Sequence, residues 1–129
     1  MIYLDSSLVL AYLLAEDRCP PESIWDERLV SSRLLEYEVW NRIHVYKPAA
    51  TRDSHVAALL GRVQFIEMTP TVLKRALLAF PVSARTLDSL HLATAEHLRG
   101  EGEDVTLAAF DERLRSAARA LRIPLYDFP

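Results

Sequence analysis

The chain has 129 residues and a formal net charge of −3 at pH 7, from 15 Lys and Arg against 18 Asp and Glu. This length accommodates one hydrophobic core, so a single domain over residues 1–129 is predicted. The acidic balance excludes a protein that binds nucleic acid through a general basic charge, and any such site must be a local patch. Because Cys19 is the single cysteine, an internal disulfide and a multi-cysteine metal site are also excluded.

Neither a signal peptide nor a membrane segment is predicted. The apolar run from Leu8 to Leu14 lacks a basic leader and follows Asp5. The longest apolar stretch falls well short of the ~20 residues that span a bilayer. We therefore expect a cytoplasmic protein without membrane contact.

Short apolar runs alternate with longer segments of helical character along the whole chain. In chain order, the predicted elements are strand 1–4, helix 8–15, a loop at 16–28 with a short helical piece, strand 29–31, helix 32–46, helix 50–60, strand 63–67, helix 70–80, helix 87–98, strand 105–110, helix 112–121 and strand 123–126. Alternating strands and helices predict an α/β protein, a three-layer α/β/α sandwich around a mostly parallel sheet.

Capping and stopping residues set the predicted helix boundaries. Asp5, Thr86 and Asp111 stand where a side-chain oxygen can accept a hydrogen bond from the first helical turn. Thr69 precedes Pro70, which stands at the first position of a predicted helix. Pro48 stops the helix predicted over 32–46. In such folds, ligands bind beyond the carboxyl ends of the strands, so residues that follow strands are the first candidates for a site.

Four acidic residues are candidates. Asp5 follows the first strand and Asp111 the fourth, although each can equally be a helix N-cap. Glu38 and Asp88 lie among apolar neighbours, where acids are uncommon unless they are paired. Glu38 could instead pair with Arg42 on the helix surface, and Asp88 could complement the helix dipole. Position alone leaves both interpretations open for all four.

The order of the motifs is more specific than any single one. The motifs are Leu4-Asp5-Ser6, then Ser32-x5-Glu38-x3-Arg42, then the run from Arg85 to Ala95 (RTLDSLHLATA), and then Phe110 to Leu114 (FDERL). In this order they resemble the PIN-domain family, specifically the VapC-type toxins of bacterial toxin–antitoxin modules. The resemblance covers essentially the whole chain.

The resemblance implies a PIN-like fold and a function. Asp5, Glu38, Asp88 and Asp111 match the family's acidic quartet, which holds one or two Mg²⁺ or Mn²⁺ ions and cleaves RNA. Ser6 matches the hydroxyl residue that follows the first acid and assists the metal shell. The implied substrates are transfer RNA or a ribosomal RNA loop, and the implied partners are a VapB-type antitoxin and a second copy of the chain.

One position departs from the family pattern. Many relatives have Thr or Ser two residues before the last acid, where this chain has Ala109. A supporting hydrogen bond is therefore expected to be missing there, and a direct metal contact from Asp111 is in question.

The basic residues near these acids have two interpretations each. Arg42 and Arg85 are the best candidates to orient Glu38 or to hold a substrate phosphate, with Arg113 next. Each could also form an ordinary surface salt bridge. His91 could act as a general base, but its apolar neighbours favour a structural histidine, and a metal-bound water needs no such base.

Metal chemistry fits the acids independently of any resemblance. Phosphodiester hydrolysis needs a positioned water and stabilisation of charge on the attacking and leaving oxygens, which hard divalent cations supply. Carboxylates suit Mg²⁺, whereas zinc prefers histidine and cysteine. Without a cation the gathered acids should repel one another, so Asp88→Asn is expected to stabilise the metal-free protein.

Other function classes were weighed against the nuclease. A non-catalytic PIN-like binding module is the alternative, and the loss of a quartet acid would have favoured it. A receiver domain needs a lysine after a late strand, and Lys47 and Lys74 come too early. A haloacid-dehalogenase phosphatase needs Asp-x-Asp where Asp5 is followed by two serines. For the antitoxin, apolar residues on two helices predict a groove, formed by Val39, Trp40, Ile43, Val72, Leu73 and Leu77.

Overall fold

The computed structural model describes residues 1–46 and 53–129. In chain order the elements are β1 (Ile2–Leu4), α1 (Ser6–Leu13), a 3-10 helix (Glu22–Asp26), β2 (Leu29–Ser32), α2 (Leu34–Tyr46), α3 (Asp53–Leu60), β3 (Val63–Ile66), α4 (Pro70–Ala76), α5 (Thr86–Gly100), β4 (Thr106–Ala108) and α6 (Glu112–Ala120). The predicted stop at Pro48 and the predicted helix start near residue 50 lie outside the described residues. No helix in the described ranges is long and apolar enough to cross a membrane.

The strands form one parallel sheet in the order β3-β2-β1-β4. In the register of β1, Ile2 is paired with Leu29 of β2 on one side and with Thr106 of β4 on the other. Because the strands run in the same direction, their carboxyl ends meet at one edge of the sheet. This is the edge at which open α/β folds bind ligands.

Helices cover both faces of the sheet. Successive side chains of a strand point to opposite faces, so Leu4 and Tyr3 enter different parts of the core. Leu4 packs in a cluster with α1, α2 and α3, whereas Tyr3 packs with α5 and α6. The predicted three-layer α/β/α architecture is thus confirmed, and burial on both faces explains why the strands read as continuous apolar runs.

Two helices begin earlier than predicted. α1 begins at Ser6 because Asp5 is itself the N-cap and accepts a hydrogen bond from the Ser7 amide. α5 begins at Thr86, so the prediction of Thr86 as its cap is wrong by one residue. Arg85 occupies the N-cap position without a side-chain cap bond, because a guanidinium only donates hydrogen bonds and cannot accept one from the helix amides. The guanidinium donates to two carboxylates.

Two predicted elements are much shorter in the structure. The strand predicted over 123–126 is reduced to a single bridge between Leu107 and Leu125, because Pro124 has no N–H to continue the ladder. The helix predicted over 70–80 ends at Ala76. The other boundaries in the described residues move by one or two positions, an ordinary uncertainty at element ends.

The apolar groove predicted for the antitoxin is wrong in part. Val39, Ile43 and Val72 are buried in the core, so they present no surface to a partner. Trp40 is partly buried and packs against the core. Leu73 lies on α4 and is 42% exposed, and Leu77, the C-cap residue of α4, is 84% exposed. Among the predicted groove residues, Leu73 and Leu77 are therefore the ones exposed to a partner.

Candidate active site

Four separate elements bring acidic side chains to the carboxyl edge of the sheet. Asp5 follows β1 directly, and Glu38 lies one turn into α2, the helix that follows β2. Asp88 lies in the first turn of α5, and Asp111 is the N-cap of α6 after β4. All four line a single open cavity of about 450 Å³. Its lining also includes Ser6, Ser7, Leu10, Arg85, Thr86 and Leu87.

Asp5 is the most enclosed of these carboxylates, with 6% of its surface exposed. Its Oδ2 accepts hydrogen bonds from the Ser7 amide at 3.1 Å and from the Ser7 hydroxyl at 2.5 Å. Burial raises the pKa of Asp5, and the charge of Glu38 adds to this, while His91 and the Ser7 bonds oppose it. Asp5 therefore caps a helix and faces the cavity at the same time, so the two interpretations of its position do not exclude each other.

Ser7 connects two strand ends across the site. Its hydroxyl donates to Asp5 and accepts a hydrogen bond from the Phe110 amide at 3.1 Å. Phe110 follows the buried Ala109, the position at which the sequence predicted a missing polar contact. The Ser7 hydroxyl, which follows the neighbouring strand β1, thus supplies a hydrogen bond just after the end of β4.

Arg85 bridges two acids of the cavity. Its Nε donates to Asp88 at 3.0 Å, and its Nη2 donates to Asp111 at 2.6 Å. Asp111 uses its other oxygen to cap α6, accepting hydrogen bonds from the backbone amides of Arg113 and Leu114. The expectation that Asp88 stands unpaired in the metal-free protein is therefore corrected, because Arg85 offsets its charge.

Glu38 pairs with a buried histidine. Nε2 of His91 lies 2.5 Å from Oε1 of Glu38, and Nδ1 lies 2.8 Å from the Tyr3 hydroxyl. Since a carboxylate only accepts, Nε2 carries a hydrogen toward Glu38. Burial lowers the pKa of His91, but the hydrogen bond and charge of Glu38, with Asp5 and Asp88, outweigh burial and leave it raised. His91 is 1% exposed and is not among the lining residues, which agrees with a structural histidine.

The four acids fit a hard divalent cation chemically. No three His, Cys, Asp or Glu side chains within residues 1–46 and 53–129 are arranged as they stand to hold a metal ion. The reason is visible at Asp88 and Asp111, whose oxygens are turned toward Arg85. Four carboxylates in an open cavity are nevertheless the oxygen-rich donor set that Mg²⁺ and Mn²⁺ prefer, with room for bound waters.

The comparison with protein families is decisive. The family model described as "PIN domain" matches residues 2–120, nearly the whole chain. This chain belongs to the PIN-domain family. The motif order that suggested the family in the sequence spans the same residues as the match.

Curated relatives of this PIN domain are ribonucleases of the VapC type. Ribonuclease VapC35 of Mycobacterium tuberculosis is 30% identical over 129 aligned residues, which cover 95% of this chain and 93% of the relative. Ribonuclease VapC46 of the same species is 34% identical over 128 residues, covering 93% and 92%. Both relatives align with this chain over almost their entire length.

Among the supporting residues expected near the acids, only some line the cavity of the PIN domain. Ser6 and Arg85 do so, but it is Ser7 that bonds to Asp5. Arg42 lies outside this cavity, and its Nη2 donates to the Tyr46 hydroxyl at 3.2 Å. The alternative in which Glu38 pairs with Arg42 on the helix surface is not observed, because Arg42 contacts Tyr46 and Glu38 contacts His91.

Two contributors were missed in the sequence. Ser7 bonds to Asp5 and to the Phe110 amide, and the Tyr3 hydroxyl contacts His91. The period-two alternation of β1 gave a usable signal for Tyr3, since it turns residue 3 away from Leu4 and toward α5. No local signal identifies His91 as the partner of Tyr3, because their contact joins residues 88 positions apart.

Proposed function

We propose that this protein is a Mg²⁺- or Mn²⁺-dependent endoribonuclease toxin that hydrolyses phosphodiester bonds in RNA and thereby inhibits translation. The observation that carries the proposal is the gathering of Asp5, Glu38, Asp88 and Asp111 around one open cavity. The VapC-type relatives support ribonuclease activity.

The four acids, Asp5, Glu38, Asp88 and Asp111, would hold the cation. When bound, the cation supplies an activated water and offsets negative charge on the reacting phosphate. The chain itself orients these ligands. Ser7 fixes the Oδ2 atom of Asp5, and His91 holds Glu38 from the buried side.

Arg85 has the charge and position to contact RNA once its carboxylates bind a cation. Its side chain is 54% exposed, and a guanidinium that leaves one carboxylate can donate two hydrogen bonds to a phosphate. An unpaired substrate segment suits an open cavity, because a folded duplex hides its base edges in a narrow groove. The proposed substrate, which the family resemblance implies, is transfer RNA or a ribosomal RNA loop, encountered in the cytoplasm.

Two protein partners belong to the proposal. A VapB-type antitoxin is the inhibitor that the family resemblance implies. A second copy of this chain is proposed to pack on the exposed apolar surface of α4 and α5, where Leu73, Leu77 and Leu90 line a groove of about 380 Å³. Exposed leucines on a soluble domain are a common mark of such an interface.

The direct test is to map the ends of RNA fragments produced after brief induction of the protein without an antitoxin. New 5′ ends at a few defined sites are expected with the wild-type chain and not with Asp88→Asn. The purified protein should cut the same RNA in Mn²⁺ and should stop in excess chelator. Identical fragment patterns for wild type and Asp88→Asn would support the alternative, a non-catalytic PIN-like module.

A further inference from the structure

A second cavity adjoins the acidic one. It has a volume of about 460 Å³ and is lined by Leu10, Leu14, Glu16, Arg42 and Tyr46. Leu10 also lines the acidic cavity, so this side chain of α1 is a wall common to both cavities. The role proposed above for the acids does not use this second cavity.

Helix α2 aligns the two cavities. Glu38, Arg42 and Tyr46 are spaced four residues apart, which places them in one row with about 6 Å between successive members along the axis. The row starts at the acidic cavity and ends at the exposed ring of Tyr46. A chain that lies along this row would meet a carboxylate ligand, a guanidinium and an aromatic ring in turn.

Arg42 is held in place without being neutralised. Its guanidinium carbon lies 4.9 Å from the centroid of the Tyr46 ring, and its Nη2 donates to the Tyr46 hydroxyl. Within residues 1–46 and 53–129 it has no carboxylate within salt-bridge distance, unlike Arg33, Arg75 and Arg85. Its positive charge and its remaining N–H groups are therefore available to a phosphate.

We propose that Arg42 and Tyr46 form a subsite for an unpaired nucleotide next to the cleaved bond, with the guanidinium on its phosphate and the Tyr46 ring stacked on its base. This inference rests on the proposed ribonuclease function. Aromatic rings and guanidinium planes are the groups on which single-stranded bases stack, and stacking tolerates any base. The common wall at Leu10 and the positive charge of Arg42 favour RNA as the occupant, with Glu16 as the one acid among the lining residues of this cavity.

Helix α2 also provides a matched control. Tyr37 and Tyr46 are 61% and 53% exposed, respectively, but nine residues at 3.6 per turn put them on opposite sides of the helix. Arg28 serves as the arginine control, because it is exposed and lies just before β2, at the opposite edge of the sheet. Neither residue belongs to a site described above.

Binding is measured by fluorescence anisotropy of a short fluorescein-labelled single-stranded RNA, with the full chain in EDTA so that the RNA stays intact. Arg42→Gln and Tyr46→Ala should each weaken binding about tenfold. Arg42→Gln should also reduce the slope of the logarithm of the RNA-binding constant against the logarithm of the salt concentration, by about the amount that one phosphate contact contributes. Tyr46→Phe keeps the ring and should bind almost as wild type does, as should Tyr37→Ala and Arg28→Gln.

Cleavage assays in Mn²⁺ distinguish a failure of this subsite from a failure of the proposed ribonuclease function. The expected result is a raised KM with little change in kcat for Arg42→Gln and Tyr46→Ala. If the wild type cleaves but these variants bind and cleave like the controls, the subsite is wrong and the ribonuclease stands. If the wild type cleaves no RNA, the proposed function fails first. If Arg42→Gln and Tyr46→Ala bind RNA like the wild type but no longer bind the antitoxin, the row of Glu38, Arg42 and Tyr46 belongs to the antitoxin interface and the subsite is wrong.

Discussion

Nη2 of Arg85 donates a 2.6 Å hydrogen bond to Oδ2 of Asp111, joining the start of α5 to the N-cap of α6. The same guanidinium also contacts Asp88. One positive charge thus serves two carboxylates that the proposed function assigns to a metal ion. Arg85 and a divalent cation should therefore compete for the same oxygens.

Removal of this competitor should strengthen metal binding. Arg85→Gln is expected to bind Mn²⁺ several-fold more tightly than wild type, measured by titration calorimetry in the absence of RNA. Arg119→Gln is the control, because Arg119 pairs with Glu112 at the surface of α6. Weaker Mn²⁺ binding by Arg85→Gln would instead mean that Arg85 positions the two carboxylates for the ion.

Cleavage should depend on the charge of Glu38 and not on the charge of its neighbour Glu36. Glu38→Gln should lower RNA cleavage at least ~100-fold, since a metal ligand and the partner of His91 are changed together. Glu36→Gln removes an exposed pair with Arg33 on the same helix and should cleave like wild type. Equal activity of the two variants would remove Glu38 from the proposed site.

His91 should matter more for stability than for chemistry. His91→Gln leaves the buried Tyr3 hydroxyl without its Nδ1 partner and should lower the free energy of unfolding by about 2 kcal/mol. Urea denaturation measures this change. The RNA cleavage rate of His91→Gln should fall less than that of Asp88→Asn, because His91 lies behind Glu38 and does not line the cavity. A complete loss of cleavage in a folded His91→Gln protein would contradict a purely positioning role.

The electrostatic cost of the metal-free site should lie at Asp5 rather than at Asp88. Burial raises the pKa of Asp5, so the folded state binds its proton more tightly than the unfolded state does. That contribution stabilises the fold at low pH and is lost as pH rises through the folded pKa. In EDTA at neutral pH, Asp5→Asn should therefore be more stable by about 1 kcal/mol, since asparagine also caps helices well.

Thermal melts at several pH values check this result. The stability advantage of Asp5→Asn over the wild type should shrink as the pH falls toward the ordinary pKa range of aspartate. Asp88→Asn loses its ion pair with Arg85 and should not gain stability in chelator. Millimolar Mn²⁺ should raise the wild-type melting temperature by mass action and move that of Asp5→Asn much less.

Self-association should depend on Leu77. Its side chain is 84% exposed on the apolar surface of α4 and α5, and Leu77→Asp should convert a dimer to a monomer in sedimentation experiments. Val45→Asp is the control, because Val45 is 71% exposed on α2, away from that surface. A wild-type chain that is monomeric at all concentrations would disprove the proposed dimer.

The sequence predicted the fold better than it predicted the contacts of the site. Alternating periodicity and caps such as Asp5 and Asp111 are local signals, and they were sufficient for the layer order and for the strand-end positions of the acids. The partners of those acids were not predictable in the same way. A pair between Glu38 and Arg42, one turn away, is one of the two interpretations that the sequence allows. In the structure Glu38 contacts His91, which is 53 residues distant and reaches it only when α5 packs on the sheet.

The Ser7 hydroxyl and the Phe110 amide that it accepts from are separated by 103 residues along the chain. Their contact forms only after almost the entire polypeptide has closed into one loop, an event that local helix formation cannot replace. A nascent chain without β4 and α6 lacks both this contact and the Asp111 carboxylate. The ribosome that synthesises this protein is therefore expected to release it before the acidic cavity can act on RNA.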